Sequence, residues 1–297
     1  MGYPMRIVRG FAAIDEGQVH YREAGMQHRG GKPTLVMFHG SPLSSLILVP
    51  LIEHIAKDRH VIAFDTLGQG DSCAARSQKP EILEIAEGMA RAYDALGYGD
   101  AEVDAFGTHT GARIAIEWSL LGQRQRVRRL ILDGMGISDN NFYEEYSRSV
   151  DRSGFIDLDG TQFTKVFNVT RDMYMFWPPY NKTLAGMRHV GLPSADALHD
   201  EVVEILKAVR TNHRAYQAAL RYPARARLGQ VTVPMLVTCA RGDMPYPFLD
   251  RVAQAVPHAV KKEQPQTNPI GLLTGEEAMG LATMMTEWLD GPAVGKT

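Results

Sequence analysis

Short apolar or β-branched runs alternate with longer stretches of helical period along most of this 297-residue chain, and few folds are compatible with that alternation. Strands that read as short apolar runs, each followed by an amphipathic helix, predict an α/β architecture: a mostly parallel central sheet flanked by helices. Strands are expected at Val19–Glu23 (antiparallel), Thr34–Phe38, His60–Asp65, Glu102–Phe106, Arg129–Asp133, Pro234–Cys239 and Ala259–Lys262. Helices are expected at Leu46–Ala56, from about Glu81 to Leu96, at Ala112–Leu121, over about Pro247–Val256 and at Glu276–Leu289. In the second of these, Ile82, Ile85, Met89, Tyr93 and Leu96 recur every three or four positions, which is one face of a helix.

Between Ile137 and Tyr222 the alternation stops, and the segment becomes helical and rich in aromatics. The expected organisation is therefore an α/β core built from residues 1–136 and 226–297, with residues 137–225 inserted as a helical cap. Trp177-Pro178-Pro179-Tyr180 interrupts the helical period, because proline lacks the backbone donor and restricts the residue before it. Irregular segments over a pocket are where ligands are touched, so Trp177 is the cap residue expected in a substrate pocket.

Lys and Arg total 32 against 34 Asp and Glu, giving a net charge of -2. No charge surplus is present to hold a polyanion or an anionic bilayer, so nucleic acid and membrane are set aside as partners in favour of a small-molecule substrate; a homodimer is left open. Cys73 and Cys239 lie far apart and form no metal spacing, which fits a reduced chain, with a single disulfide as the alternative. Neither a signal core nor a membrane-length apolar run is present, and a cytoplasmic location is expected. The dinucleotide-binding glycine pattern and the Gly-rich phosphate loop with its Lys are both missing, so no cofactor is implied.

The chemistry concentrates at Gly107-Thr108-His109-Thr110-Gly111, placed between a strand and a helix. A sharp strand-to-helix turn needs residues without bulk on either side, and it lifts its middle side chain toward the positive end of the next helix. The bland alternative is a glycine-flanked turn with a harmless histidine.

Two further loops accompany this turn: His39-Gly40-Ser41-Pro42 after the Thr34–Phe38 strand, and Asp65-Thr66-Leu67-Gly68-Gln69-Gly70-Asp71-Ser72 after the next. Through these three motifs, in this order and on these strand ends, the chain resembles the α/β-hydrolase fold superfamily over nearly its full length. The resemblance implies a cap inserted where residues 137–225 fall, and a pocket at the carboxyl ends of the strands. It implies an oxyanion hole from the N–H groups of Ser41 and Thr110, and a histidine-orienting acid at Asp243 in Ala240-Arg241-Gly242-Asp243, with Asp133 as fallback. His39 is expected either to prop the loop or to border the substrate.

Two positions depart from the superfamily pattern. The elbow carries His109 where Ser, Cys or Asp is usual, and aligning Gly275-Glu276-Glu277 with the start of the last helix puts Asn268 where the catalytic histidine is expected. Three readings follow: hydrolysis with His109 as nucleophile or general base for water, supported by Asp243 and Asn268; a cofactor-free lyase or isomerase with His109 as base; or a catalytically dead binding protein. A metal held by His39, His109 and Asp243 is a further option, without the local spacing of a metal motif. Among weaker features, Arg124, Arg126, Arg128 and Arg129 are expected in solvent. His189, His199 and His213 are placed in the cap, where any could reach the pocket.

Overall fold

A computed structural model of the chain describes residues 6–98, 102–122, 127–137, 142–150, 154–265 and 273–292. Eight strands form one sheet: β1 (Val8–Ile14), β2 (Gly17–Ala24), β3 (Thr34–Phe38), β4 (Val61–Phe64), β5 (Val103–Thr108), β6 (Val127–Asp133), β7 (Met235–Cys239) and β8 (Val260–Glu263). Their spatial order is β1-β2-β4-β3-β5-β6-β7-β8, with β1, β2 and β4 joined antiparallel and every other pair parallel. Every residue of β4 and β5 is buried, as an apolar run between two helical layers requires.

The helices cover both faces. Helices α1 (Val49–Ile55) and α10 (Gly275–Asp290) pack on one side, with Leu51, Ile52, Leu281 and Met285 against Leu35, Met37 and Phe106. Helices α2 (Ile82–Ala95) and α3 (Thr110–Leu120) pack on the other. There Trp118 lies 4.8 Å from the Phe38 ring and 5.7 Å from that of Tyr93. The predicted faces hold: Ile82, Ile85, Met89 and Tyr93 are all buried. Helix α10 begins in a capping box, Thr274 receiving the Glu277 amide while Glu277 receives that of Thr274, which satisfies two donors the first turn leaves over.

Between β6 and β7 the chain runs through α4 (Phe142–Ser149), α5 (Thr161–Met175), α6 (Ala195–Lys207), α7 (Asn212–Arg221) and α8 (Ala224–Leu228). Val166, Tyr174, Leu198, Val202, Ile205 and Val209 make a small apolar core of their own. Polar ties fasten these helices to the β4 loop: Thr211 Oγ1 donates to Gly68 O at 2.9 Å, and Gln69 Nε2 to Asn212 O at 3.1 Å. Helix α9 (Leu249–Ala255) follows β7. Among the described residues, no helix is long and apolar enough to cross a membrane.

Three local expectations are corrected. Strand β1 was not foreseen, because it is an edge strand whose only buried residue is Ala12, so no apolar alternation marks it. The Leu46–Ala56 and Pro247–Val256 helices each open as a 3-10 turn, at Ser45–Leu48 and Tyr246–Phe248, before α1 and α9 begin. Arg129 is buried, and Arg128 is only partly exposed. Arg128 pairs with buried Asp104 at 2.7 Å, and the Arg129 guanidinium donates to the carbonyls of Trp288, Gly291 and Pro292 at the end of α10, where the last carbonyls lack donors within the helix. Arg124 and Arg126 lie outside the described residues.

Candidate active site

The strand order decides where a site can form. After β3 the chain moves outward to β4, then crosses to place β5 on the other side of β3, so the order reverses between β3 and β5. Helices leave such a point in opposite directions and open a crevice at the carboxyl ends of the strands. The loops after β3, β5, β6 and β7 supply Gly40-Ser41, His109-Thr110, Gly134 and Asp243, and all of these line one cavity of about 190 Å³.

The turn after β5 is as tight as its glycines imply. A Cβ on Gly107 would fall 2.1 Å from the Gly111 carbonyl oxygen, and one on Gly111 2.1 Å from that of Phe38, so only glycine allows α3 to start so close to β3 and β5. His109 pays in backbone strain, with φ 52° and ψ -110°, the only non-glycine residue at positive φ among those described. Its amide donates to Asp133 O at 3.0 Å, and its carbonyl accepts from Ala112 N at 3.2 Å and from the Arg113 guanidinium at 2.9 Å. Three partner atoms from two elements, β6 and α3, thus hold the turn.

The imidazole meets the acid named from the sequence. His109 Nε2 lies 2.8 Å from Asp243 Oδ2, the other carboxylate oxygen of Asp243 accepts the Met244 amide at 2.8 Å, and only 3% of the Asp243 side chain is exposed. Gly134, at φ 57°, leaves room for this pair: a Cβ there would stand 2.9 Å from Asp243 Oδ2 and 3.0 Å from His109 Nε2. Burial disfavours a charged ring, yet the charge of Asp243, its hydrogen bond and the more distant Asp133 outweigh it, so the His109 pKa lies above the ordinary 6.5. The Nδ1 atom of His109 has no protein partner among the described residues, and 27% of the side chain is open to the cavity.

Asp133, the fallback acid, serves elsewhere. It accepts from Thr108 Oγ1 at 2.8 Å and from the Gln264 side chain, and burial, reinforced by the charge of Asp243, pushes its carboxyl up to about 7. Cys239 lies among the same groups; burial, with the charges of Asp243 and Asp133, pushes its thiol far up, so no thiolate is available as a nucleophile.

Of the other sequence candidates, Ser41, Thr110 and Trp177 line the cavity. Thr110 is the first residue of α3, where an amide has no acceptor within its own helix, and neither its N–H nor that of Ser41 donates to a protein group among those described. The Ser41 hydroxyl accepts from Gln69 Nε2 at 2.6 Å. His39, expected as a pocket residue, does not border the cavity. It is fully buried, with Nδ1 donating to Gly40 O at 3.0 Å and Nε2 accepting the Thr66 amide at 2.9 Å, and burial lowers its pKa, so it is a neutral prop between two loops. With both nitrogens so engaged, His39 does not join His109 and Asp243 as a metal ligand set. Asn268 lies outside the described residues. His189, His199 and His213 do not line the cavity; Tyr146 and Tyr174 from the aromatic-rich inserted segment do, as do Arg113, Arg188, Glu201 and Tyr216, which no sequence motif marks.

The α/β hydrolase fold family model matches residues 33–153, which hold the β3, β4 and β5 motifs and the start of the helical segment. Across the whole chain, the crystal structure of an enol-lactonase from Burkholderia xenovorans superposes with a TM-score of 0.71 at 17% identity, over 94% of this chain and 99% of that one. The chain has the α/β-hydrolase fold. An esterase from Exiguobacterium antarcticum is similar at a TM-score of 0.70 and 16% identity, covering 95% of this chain and 99% of its own. An epoxide hydrolase from Vigna radiata gives 0.66 at 16% identity, over 95% and 97%. No curated protein matches the sequence. In this chain the residue at the turn between β5 and α3 is a histidine, and Asp243 from the loop after β7 contacts it directly.

Proposed function

We propose that the chain hydrolyses an ester or lactone of a small, partly apolar acid, with His109 as general base for the attacking water. The observation that carries this reading is the 2.8 Å contact of His109 Nε2 with Asp243 Oδ2. Asp243 holds the proton on Nε2, leaving the Nδ1 lone pair toward the cavity as the basic atom. The esterase and lactonase among structural neighbours, 16–17% identical, support a hydrolase on this scaffold.

The substrate carbonyl oxygen rests between the N–H groups of Ser41 and Thr110. Nδ1 takes a proton from water, and the hydroxide oxygen bonds to the carbonyl carbon; the charge passes to the carbonyl oxygen, where the two amides stabilise it, each such donor being worth about 10²–10³ in rate. Collapse of the tetrahedral adduct breaks the bond to the leaving oxygen, which takes the proton from Nδ1. The products are an acid and an alcohol, and His109 returns to neutral. Asp243 stabilises the transient imidazolium. A covalent acyl-imidazole fits less well, since His109 is the only imidazole lining the cavity among the described residues and no second base is at hand for deacylation. The helices between β6 and β7 act in this reading as a cap, with Tyr146 and Trp177, their rings 4.6 Å apart, forming the apolar wall.

Hydrolysis of phenyl acetate or a γ-lactone in ¹⁸O-labelled water tests the reading. The label is expected in the acid product from the wild-type chain and absent when His109 is replaced by Asn. Product formed without label would point instead to a lyase using the same base.

A further inference from the structure

One cation in the cavity wall makes no ion pair among the described residues, and its unused donors bear on what the substrate carries. The charged or titratable side chains with a proton or charge to offer here are His109, Arg113, Arg188, Glu201 and Asp243, beside the tyrosines. Asp243 is engaged by His109. Arg113 donates to the carbonyls of His109 and Gly136, so it helps to build the turn. Glu201 is buried, accepts from the Tyr174 hydroxyl, and is pushed up to about 7 by burial, so near neutral pH much of it carries no charge.

Arg188 is different. Its guanidinium donates to Met173 O at 2.7 Å and to Gly242 O at 3.1 Å, next to the Asp243 loop, and no carboxylate among the described residues lies within ion-pair distance of it. Two of the five N–H donors that a guanidinium carries are used in this way, and donors remain for a ligand. Burial draws its pKa down, while Asp243, Tyr174, Tyr146 and Tyr216 lie close enough to draw it up. A guanidinium that lines the cavity with unused donors attracts an anion, and a planar carboxylate is the anion whose geometry matches its fork.

We propose that Arg188 anchors a carboxylate on the substrate, so that the ester or lactone cleaved here also bears a free carboxylate beside an apolar body. The proposal rests on the cavity being the hydrolytic site, and it adds the substrate class. The carbonyls of Met173 and Gly242 fix the guanidinium in place before substrate arrives, which limits the entropy lost on binding.

Equilibrium binding of benzoate and of its neutral isostere benzamide to the full chain, by titration calorimetry, tests the anchor without turnover. Benzoate is expected to bind at least tenfold more tightly than benzamide to the wild-type chain. The preference should vanish in Arg188→Met and return in part in Arg188→Lys, which keeps the charge but not the fork. Equal affinity of the two ligands for the wild-type chain overturns the proposal without any variant. A benzoate preference that survives in folded Arg188→Met overturns it as well. Because binding is read separately from catalysis, a chain that prefers benzoate through Arg188 yet hydrolyses no ester would contradict the hydrolytic reading while keeping the anchor.

Discussion

A histidine at the elbow changes which atoms perform which role. In the usual arrangement a hydroxyl occupies the turn and an imidazole reaches it from another loop. Here the imidazole occupies the turn and the acid loop reaches it directly through Asp243. In the proposed mechanism His109 acts as base only when deprotonated, and its pKa lies above 6.5, so kcat/KM should rise with pH through a midpoint above 6.5 and then level off. Asp243→Asn removes the charge that raises that pKa and keeps only a neutral amide oxygen as acceptor, so burial weighs more heavily against the charged ring, with the more distant Asp133 still opposing it. In that variant the midpoint should move down and the plateau should fall about 10²–10⁴-fold, from loss of the held tautomer and of the stabilised imidazolium. An unshifted midpoint in a pH–rate profile of Asp243→Asn would show that the acid does not act on His109. His109 and Asp243 were legible in the sequence because each stands in a short motif at a strand end. Arg188 and Glu201 were not, because they come from helices and irregular segments whose positions over the sheet depend on tertiary packing rather than on any local pattern.

At the scale of elements, the turn between β5 and α3 is set by backbone contact rather than by side chains. The Gly111 position stands against the carbonyl oxygens of Phe38 and His39, so Gly111→Ala must push α3 away from β3. The expected cost is about 3 kcal/mol or more, visible as a lower urea midpoint, because backbone atoms cannot yield as a flexible side chain can. A midpoint within experimental error of wild type would mean that the close approach does not hold in solution. The same elements show how far periodicity reaches. Helices α2 and α10 begin and end within one residue of expectation, since an apolar stripe and a capping box both leave marks in sequence. Strand β1 leaves none, because an exposed edge strand buries almost nothing. The Arg59–Asp104 pair, fully buried at 2.9 Å and extended by Arg128, joins residues 45 positions apart, a pairing that charge patterning along the chain does not reveal.

For the whole molecule, a buried acid near the site makes stability depend on pH. Burial, with the charge of Asp243, raises the folded pKa of Asp133 to about 7 against an ordinary 3.8, although His109, Thr108 and Gln264 draw it down. The folded chain therefore keeps a proton that the unfolded chain gives up. The stability associated with this group is fully present below about pH 4 and is lost as the pH climbs toward 7. Asp133→Asn, which cannot ionise, should gain stability relative to wild type as the pH is raised from 5 to 7, by on the order of 1 kcal/mol per pH unit. Thermal unfolding of both chains across that range measures it, and parallel curves would show that Asp133 ionises normally. The α/β class and the mostly parallel sheet were readable because strand–helix alternation is a property of the whole chain. The cavity was not, since it exists only where four strand ends and the inserted helices come together.

The proposed chemistry rests on one side chain, which a single comparison reaches most directly: kcat/KM for phenyl acetate at pH 8 in wild type and in His109→Asn, with thermal unfolding of each. Asparagine tolerates a positive φ, so the turn should persist, but it offers no base at this pH. The predicted result is a folded variant whose activity is lower by about 10²–10⁴-fold. A folded His109→Asn chain within tenfold of wild type would contradict the central claim, because the chemistry would then lie elsewhere in the cavity.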